Sequence, residues 1–340
     1  MVPPSSPPLD LSPEVAQKFR DSAREHGKHV YARNTERAYR SDWRIFEGWC
    51  ASMGQTPLPA PVDAIKAFML DAADGITLGD THKASTVARY LATISTRHRR
   101  GGFPSPWENP EIQEVLSSIV KKKASEGNTR RKKRAFRAAD LYQALDAIPA
   151  DLQGLRDRAV ILVGFATGMR RSELVAIDVE HLDRSEWGFA VHVGRSKTDQ
   201  EGVGRVVGLN SARSEGRCPV RALDAWFRAA EITTGPIFRS LRSLNQPGKD
   251  APRKLVVSQD RLSDDAVAIL VKEAVARVGL EPADFAAHSL RSGFVTTADA
   301  KGKSVGQISA QTGHKSASTV LGYMQSNVLG PGSAGYGLMD

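Results

Sequence analysis

The feature that most constrains the fold is a break in the hydrophobic periodicity at residues 124–135. This segment reads ASEGNTRRKKRA and contains a run of five consecutive basic residues. Gly127 and Asn128 disfavour a helix, and no apolar period continues through the segment. A chain of 340 residues is long enough for two domains of ordinary size. We therefore predict domains at residues 12–123 and 136–327, joined by a basic linker at 124–135.

The first domain is predicted to contain helices alone. Helical spacing of apolar residues recurs five times, with helix starts indicated near residues 12, 35, 62, 85 and 110. The second helix carries an aromatic stripe at spacings of three and four: Tyr39, Trp43, Phe46, and Trp49 or Cys50. This spacing indicates a buried face in preference to a platform for stacked bases. Residues 1–11 are rich in Pro and Ser and are expected to form a flexible arm.

The second domain is predicted to be mainly helical with one small β-hairpin. Helical patterns occupy about residues 138–147, 152–166, 218–230 and the stretch that follows Ser263. Two short alternating runs on either side of a polar loop at residues 194–202 predict the hairpin. Residues 238–259 are basic and lack a clear period, so we expect a loop-rich surface insertion. Residues 328–340 contain four glycines and a proline, which disfavour a helix in this C-terminal tail.

An excess of positive charge points to a polyanionic partner. Lys and Arg number 47 against 38 Asp and Glu, giving a net charge of +9, which suits nucleic acid better than an acidic small molecule. The longest apolar run, residues 159–169, is too short to cross a bilayer, and a signal-peptide pattern is lacking. We therefore expect a soluble, cytoplasmic protein without a membrane partner. Cys50 and Cys218 are expected to be packing residues, without a disulfide or a metal site.

A cluster of chemically active side chains is predicted near the end of the second domain. His288 and Arg291 are three positions apart on a predicted helix, so both can point from one face at a shared anion. A short helix ends at Gly313 and delivers His314 beyond its C-terminus, and Tyr323 follows on a third helix. Taken singly, each residue is more typical of packing or of the surface. Together, a phenol, a guanidinium and two imidazoles suit phosphoryl transfer with the phenol as nucleophile.

Two upstream features extend this pattern. The box TGMRRSEL at residues 167–174 follows an apolar helix, and Lys197 lies in the polar loop of the predicted hairpin. With the His-x-x-Arg, Gly-His and Tyr elements that follow in order, these residues resemble the signature of the tyrosine recombinases, also called phage integrases. The resemblance spans about residues 12–327, with specific motifs in the second domain and architecture alone in the first. The domain proportions are most similar to the two-domain branch typified by the Cre and Xer recombinases.

The resemblance implies a reaction in which Tyr323 attacks a scissile phosphate and forms a 3′-phosphotyrosyl link. His288 is then placed to take or share the phenolic proton. Lys197 is implied as the general acid that protonates the leaving 5′ oxygen, a role that requires a lowered pKa. Arg195, in the same loop, is the competing candidate for that role.

The resemblance also implies how the phosphate is held. Arg170 and Arg291 are expected to grip the non-bridging oxygens, and His314 to add a hydrogen bond to the phosphoryl group. Glu173 is expected to hold Arg170 or a catalytic imidazole, with an exposed helix-capping role as the alternative. A metal is not implied, because the guanidinium pair supplies the positive charge. A nucleotide cofactor is not implied either, because a phosphotyrosine retains the energy of the broken phosphodiester.

The expected partner is double-stranded DNA with an inverted-repeat site, closed within a C-shaped clamp of the two domains and acted on by a homotetramer. The candidate DNA-contacting residues are basic: Lys83, Arg97, Arg99, Arg100, Arg130, Arg131, Lys132 and Lys133. Arg97, Arg99 and Arg100 also suit a helix C-terminus, where cations offset the helix dipole. The linker run is also compatible with a solvated segment or a nuclear-import signal.

Three other functions fit parts of the pattern. A type IB topoisomerase uses the same residue types to nick and reseal one strand without paired sites. A DNA-binding module without turnover can keep the fold, although the complete residue set argues against it. A metal-dependent nuclease fits least, because a carboxylate cluster of suitable spacing is lacking in the sequence. The sequence leaves open the target site and the choice among integration, excision, inversion and dimer resolution.

Overall fold

A computed structural model describes residues 12–27, 33–126, 133–194, 204–244 and 254–324. The chain divides into two compact units, Met1–Arg131 and Lys132–Asp340, and each is considered by itself below. Within the described ranges, no helix combines the length and the apolar character needed to cross a bilayer.

Helices are the only regular secondary structure among the described residues of the first unit. Its helices are α1 (Pro13–Gly27), α2 (Arg33–Ser52), α3 (Val62–Asp74), α4 (Ala84–Arg100) and α5 (Pro110–Ser125). All five predicted helices are confirmed, with starts within a few residues of those expected. The start of α5 shows why: the Asn109 side chain accepts hydrogen bonds from the backbone N–H groups of Glu111 and Ile112, and Pro110 fits the first turn.

Most of the aromatic stripe of α2 is part of the core, as predicted, whereas Tyr39 is half-buried and lies outside the core cluster. Phe46 is fully buried and Trp49 nearly so, and the Phe46 ring meets the Phe68 ring of α3 edge-on at 4.9 Å between centroids. The cluster also encloses a buried carboxylate, Asp71, which accepts a hydrogen bond from the Trp49 indole at 2.7 Å. Cys50 is buried beside these rings as a free thiol.

The second unit combines helices with two small antiparallel sheets, which confirms a mainly α fold with a small β component. Its helices are α6 (Ala138–Asp146), α7 (Leu152–Thr167), α8 (Arg171–Val175), α9 (Pro219–Ala230), α10 (Asp264–Ala276), α11 (His288–Ala300), α12 (Val305–Thr312) and α13 (Ala317–Met324). Its strands are β1 (Leu182–Ser185), β2 (Gly188–Val193), β3 (Arg205–Asn210), β4 (Arg239–Ser243) and β5 (Leu255–Arg261). One sheet has the order β1-β2-β3 and the other pairs β4 with β5.

The buried helix α7 organises this unit and fixes where the site begins. Asp151 caps its start by accepting a hydrogen bond from the Gly154 N–H at 2.7 Å. Buried apolar residues line most of its length, and it packs against α9 and α11. The helix ends at Gly168, whose φ of 59° lies in the left-handed region that favours glycine. The chain therefore turns sharply and presents Arg170 directly after the core helix.

The structure corrects two expectations about β structure. Strand β1 was not predicted, because its outward-facing residues leave no apolar alternation. Residues 238–259, expected as a loop-rich surface insertion, contain β4 and most of β5. Arg239, expected at the surface, is 6% exposed and donates to Gln259 Oε1 at 2.6 Å. The alternation was hidden because polar residues occupy most positions of both strands.

Candidate active site

The predicted nucleophile and one predicted imidazole are in direct contact. The Tyr323 hydroxyl of α13 lies 2.5 Å from Nε2 of His288, the first residue of α11. The His314 ring is also close, with 5.8 Å between its centroid and that of the Tyr323 ring. His288 is exposed, whereas Tyr323 and His314 are half-buried. The Tyr323 ring is therefore near two imidazoles, one of them at the surface of the unit.

Arg291 lies beneath this pair and is held by main-chain carbonyls. Its side chain is 1% exposed, and Nη1 donates to the carbonyl oxygens of Gly168 and Thr312 at 2.7 and 2.6 Å. These carbonyls are at the ends of α7 and α12, and Arg291 itself is on α11. Its guanidinium therefore links three helices. Among the described residues, Nη2 of Arg291 is buried without a hydrogen-bond acceptor. Burial first, and then the nearby Arg170, lower the pKa of Arg291 to about 10, which leaves it protonated at neutral pH.

His314 is oriented by the turn that ends α12. Gly313 closes that helix in the left-handed conformation, and Nδ1 of His314 then lies 2.7 Å from Thr312 Oγ1. That hydroxyl donates to the Ile308 carbonyl at 2.6 Å, so it can only accept from the imidazole. Nδ1 consequently carries the proton and Nε2 the lone pair. Burial first, and then the cation of Arg291, lower the pKa of His314 to about 4.

Arg170 is positioned by Glu173, one turn later. Oε2 of Glu173 accepts from the Arg170 backbone N–H at 3.1 Å, and Oε1 accepts from its Nη1 at 2.7 Å. The carboxylate therefore caps α8 and grips the guanidinium at once. The sequence left open whether Glu173 would hold Arg170, hold an imidazole or be an exposed cap. The structure places it buried, with Arg170 as one partner.

A third guanidinium reaches the same carboxylate and was missed from the sequence. Nη2 of Arg205, the first residue of β3, lies 2.9 Å from Oε2 of Glu173. Burial alone would raise the pKa of Glu173, but the hydrogen bonds and charge of Arg205 and Arg170 outweigh it and lower this pKa. A signal was present in the sequence: Arg205 has the same strand parity as Val207 and Leu209, which are buried.

The general-acid candidate lies outside the described residues. Lys197 and its competitor Arg195 both belong to the segment between β2 and β3. The described ends of that segment are close to the site, because Val193 pairs with Arg205 in the sheet and Arg205 contacts Glu173. Five of the six predicted catalytic side chains are thus described, and the ends of α7, α11, α12 and α13 bring them together.

The candidate DNA-contacting residues are only partly described. Lys83, Arg99 and Arg100 are exposed, whereas Arg97 is half-buried with its guanidinium 5.3 Å from the centre of the Trp43 ring. Lys133 is exposed and donates to the Ala283 carbonyl. Arg130, Arg131 and Lys132 lie outside the described residues. Within the same basic stretch, His98 is buried and bonded on both ring nitrogens, so it belongs to the core and not to the basic surface.

The chemistry of the site is that of an anion held by arginines beside a phenol. Three guanidiniums and one carboxylate leave an excess of positive charge around buried N–H groups, which suits a phosphate diester. In the described part of the chain, no group of three or more His, Cys, Asp or Glu side chains is arranged to hold a metal ion. The arrangement can therefore bind a phosphate and present a nucleophile to it.

Known proteins are similar to this chain in sequence or in fold. Residues 134–329 match the phage integrase family. An integrase/recombinase XerD homolog of Selenomonas ruminantium is 36% identical, over 86% of this chain and 82% of its own. The Tn1549 transposon integrase in complex with transposon right-end DNA has a TM-score of 0.56 at 15% identity, covering 91% of this chain and 94% of its own. A lambda integrase tetramer bound to a Holliday junction has a TM-score of 0.53 at 16% identity, covering 92% and 83%.

Proposed function

The chain belongs to the phage integrase family and is a Xer-like tyrosine recombinase that cleaves and rejoins DNA at specific sites, and we propose that it does so through a covalent 3′-phosphotyrosine on Tyr323. The observation that carries this proposal is the hydrogen bond between Tyr323 and His288. A phenol in contact with an imidazole, beside two arginines, is an activated nucleophile next to an anion site.

The first step is an in-line displacement at phosphorus. The Tyr323 oxygen forms a bond to the phosphorus as the bond to the 5′ oxygen breaks, and the phenolic proton passes to His288 Nε2. The leaving 5′ oxygen takes a proton from Lys197, in the role that the family resemblance gives this residue. The products are a 3′-phosphotyrosyl protein and a free 5′ hydroxyl, so atoms and charge balance without a co-reactant.

The positive charge of the site acts on the non-bridging oxygens. Nη2 of Arg291 is buried without an acceptor among the described residues, which makes it a preorganised donor for a phosphate oxygen. Arg170 is held by Glu173 and supplies the second guanidinium. His314 would then hydrogen-bond the phosphoryl group through Nε2, once that nitrogen is protonated. These charges take the place of the divalent metal that assists other phosphoryl transfers.

Rejoining is the reverse reaction with a 5′ hydroxyl from the partner DNA. Because the phosphotyrosine conserves the phosphodiester bond energy, ATP is not required. We propose a homotetramer on two inverted-repeat sites, supported by the lambda integrase tetramer on a Holliday junction, whose fold this chain shares. The basic residues of α4 and of the 124–135 linker would contact phosphates of the duplex. Such a reaction is expected in the cytoplasm, where bacterial, phage and plasmid DNA is found.

The test is covalent capture. Purified protein is mixed with fragmented genomic DNA from its source, the mixture is denatured in SDS, and DNA that remains attached to protein is sequenced. Wild-type protein is expected to enrich one inverted-repeat sequence, and Tyr323→Phe is expected to enrich none. An adduct with Tyr323→Phe would refute the nucleophile. Relaxation of any supercoiled plasmid, without site enrichment, would support the topoisomerase alternative.

A further inference from the structure

We propose that Arg205 is a positioning residue for DNA cleavage: it offsets the negative charge of the Glu173 carboxylate, so that the group formed with Arg170 is net positive toward the scissile phosphate. This inference rests on the proposed function and adds a residue to its machinery. The contacts of the buried Glu173 carboxylate, which a single arginine would otherwise neutralise, carry the inference.

The Glu173 carboxylate is shared by two arginines. Its side chain is 5% exposed, so water cannot supply much of the screening that an exposed ion pair receives. Oε1 accepts from Arg170 at 2.7 Å, and Oε2 accepts from Arg205 at 2.9 Å. A pair of Arg170 and Glu173 alone would be neutral. The second guanidinium makes the group of three net positive, which is the sign that a phosphate diester needs.

The described hydrogen bonds of Arg205 all go to the Glu173 carboxylate. Its acceptors are both oxygens of Glu173, and its buried Nε has no acceptor among the described residues. Arg261, in contrast, donates to the Val175 carbonyl and pairs with Asp178. Arg239 spreads its donors over Gln259 and main-chain carbonyls.

The Arg205 guanidinium also contacts the turn that precedes His314. A Cβ added to Gly313 would lie 2.8 Å from Cζ of Arg205, so the backbone next to His314 is in van der Waals contact with this side chain. Through the sheet, Arg205 pairs with Val193 at the described edge of the segment that contains Lys197. Arg205 therefore lies where the hairpin, the start of α8 and the turn before His314 meet.

The experiment measures single-turnover formation of the Tyr323 adduct on a nicked substrate that carries the captured site. Two linkages are compared at the scissile position: an ordinary phosphodiester, and a methylphosphonate, in which a methyl group replaces one non-bridging oxygen and removes the negative charge. The variants are Arg205→Gln, Arg205→Lys and the double variant Glu173→Gln/Arg205→Gln. Arg184 on β1 makes a bidentate pair with Asp224 on α9. Arg184→Gln therefore controls for the loss of an arginine–carboxylate pair. Thermal unfolding of each variant reports its folding.

On the phosphodiester, Arg205→Gln is expected to slow cleavage about 10- to 100-fold, less than the loss of a donor that contacts the reacting oxygens directly. Arg205→Lys should be intermediate because it keeps the charge but not the planar fork. On the methylphosphonate, the ratio of the wild-type cleavage rate to the Arg205→Gln rate should be smaller than on the phosphodiester. A neutral linkage gains less from nearby cationic charge. The double variant should cleave the phosphodiester faster than Arg205→Gln, since the carboxylate that needed neutralising is gone. A packing role alone would slow cleavage of both linkages equally, and the double variant would be no faster than Arg205→Gln.

Three outcomes overturn the inference. Wild-type rates for Arg205→Gln on both linkages would remove any role for Arg205 while leaving the proposed function intact. Equal losses on the two linkages, with a double variant no faster than the single variant, would assign Arg205 to folding. Failure of wild-type protein to form an adduct, while it binds the same DNA, would reject the proposed function and this inference together.

Discussion

Tyr323 and His288 share a hydrogen bond of 2.5 Å between the phenol oxygen and Nε2 of the imidazole, across 35 positions of sequence. The two residues come from different helices, α13 and α11, which pack against each other through a small cluster that includes Val295 and Val320. The proposed nucleophile and the group proposed to accept its proton are therefore positioned by packing. This relationship makes the role of His288 directly testable.

His288→Gln is expected to slow adduct formation about 10²- to 10⁴-fold, the usual contribution of a positioned general base. Glutamine can accept a hydrogen bond from the phenol but cannot take its proton at neutral pH. The residual rate should rise with pH, because phenolate then forms without a base. His192→Gln is the matched control, since His192 also lies 2.5 Å from a partner, Asp183, but on the β1-β2 hairpin. Equal rates for wild type and His288→Gln at pH 7 would assign proton removal to another group.

His314 is expected to be neutral at pH 7 in the folded protein. Its pKa is lowered from 6.5 to about 4, by burial first and then by Arg291. The unfolded chain therefore binds more protons than the folded chain between these values, so the free energy of unfolding should decrease as the pH falls through this window. NMR titration of the imidazole checks the pKa directly, with Thr312→Val to remove the hydroxyl that fixes the tautomer. A midpoint near 6.5 for the wild-type ring would contradict the environment described here.

Binding of the scissile phosphate should reverse that pKa shift in part. A negative charge near Nε2 favours the imidazolium form, so we expect DNA binding to take up a proton at His314 and to strengthen as the pH falls from 7 toward 5. Titration calorimetry in buffers of different ionisation enthalpy measures the uptake. His314→Gln is the control and should lose this component. Identical proton uptake by the two proteins would place the linked proton elsewhere.

The fold could largely be predicted because its determinants are local. Caps such as Asn109 and Asp151, terminal glycines such as Gly168, and apolar spacing all act within a few residues. The site could be predicted only in part. His288 and Tyr323 have side chains that suggest chemistry, and the family pattern gives their order. The anchors of Arg291 are main-chain carbonyls that meet only in the folded chain, which no side-chain pattern encodes.

Arg205 and the β4-β5 sheet also have contacts that could not be predicted from the sequence. Arg205 is one charged residue at the start of a short strand. Its parity indicates a buried direction but not its partner, because Glu173 is 32 positions away in sequence. Arg239 looked like surface charge because its partners are distant in sequence or lie in the main chain. Lys197 remains a prediction from the family resemblance, because it lies outside the described residues.

The role of Lys197 can be tested by changing the leaving group. Lys197→Ala should slow cleavage of an ordinary linkage about 10²- to 10⁴-fold, because the departing 5′ oxygen lacks a proton donor. A substrate with sulfur in place of that bridging oxygen should restore the rate, since a thiolate leaves without protonation. Arg195→Ala provides the matched comparison within the same segment. If the sulfur substrate restored the rate of Arg195→Ala and not that of Lys197→Ala, Arg195 would be the general acid in place of Lys197.

Asp71 should make the free energy of unfolding of the first unit depend on pH. Burial raises its pKa, but the hydrogen bonds from Thr77, Trp49 and Leu78 outweigh burial and lower it from 3.8 to about 2. The stabilisation is present above the unfolded pKa and should be lost as the pH falls through this window. Asp71→Asn is expected to cost about 1–3 kcal/mol at pH 7, because donors lose a charged acceptor, and to cost less at pH 2. Urea denaturation at both values measures this, and a cost independent of pH would contradict it.

Gly168 links the fold to the site, and its replacement should affect both. Its φ is 59°, and an added Cβ would lie 2.8 Å from the Phe294 ring and 2.9 Å from Thr312 Cγ2. Gly302 has a φ of 70° but open space around a Cβ, so Gly302→Ala isolates the backbone strain of about 1–2 kcal/mol. Gly168→Ala adds overpacking, for a total of about 2–4 kcal/mol in urea denaturation. Because the Gly168 carbonyl accepts from Arg291, cleavage should also slow in Gly168→Ala and not in Gly302→Ala. Equal stability and equal cleavage in the two variants would mean that the end of α7 does not set the position of Arg291.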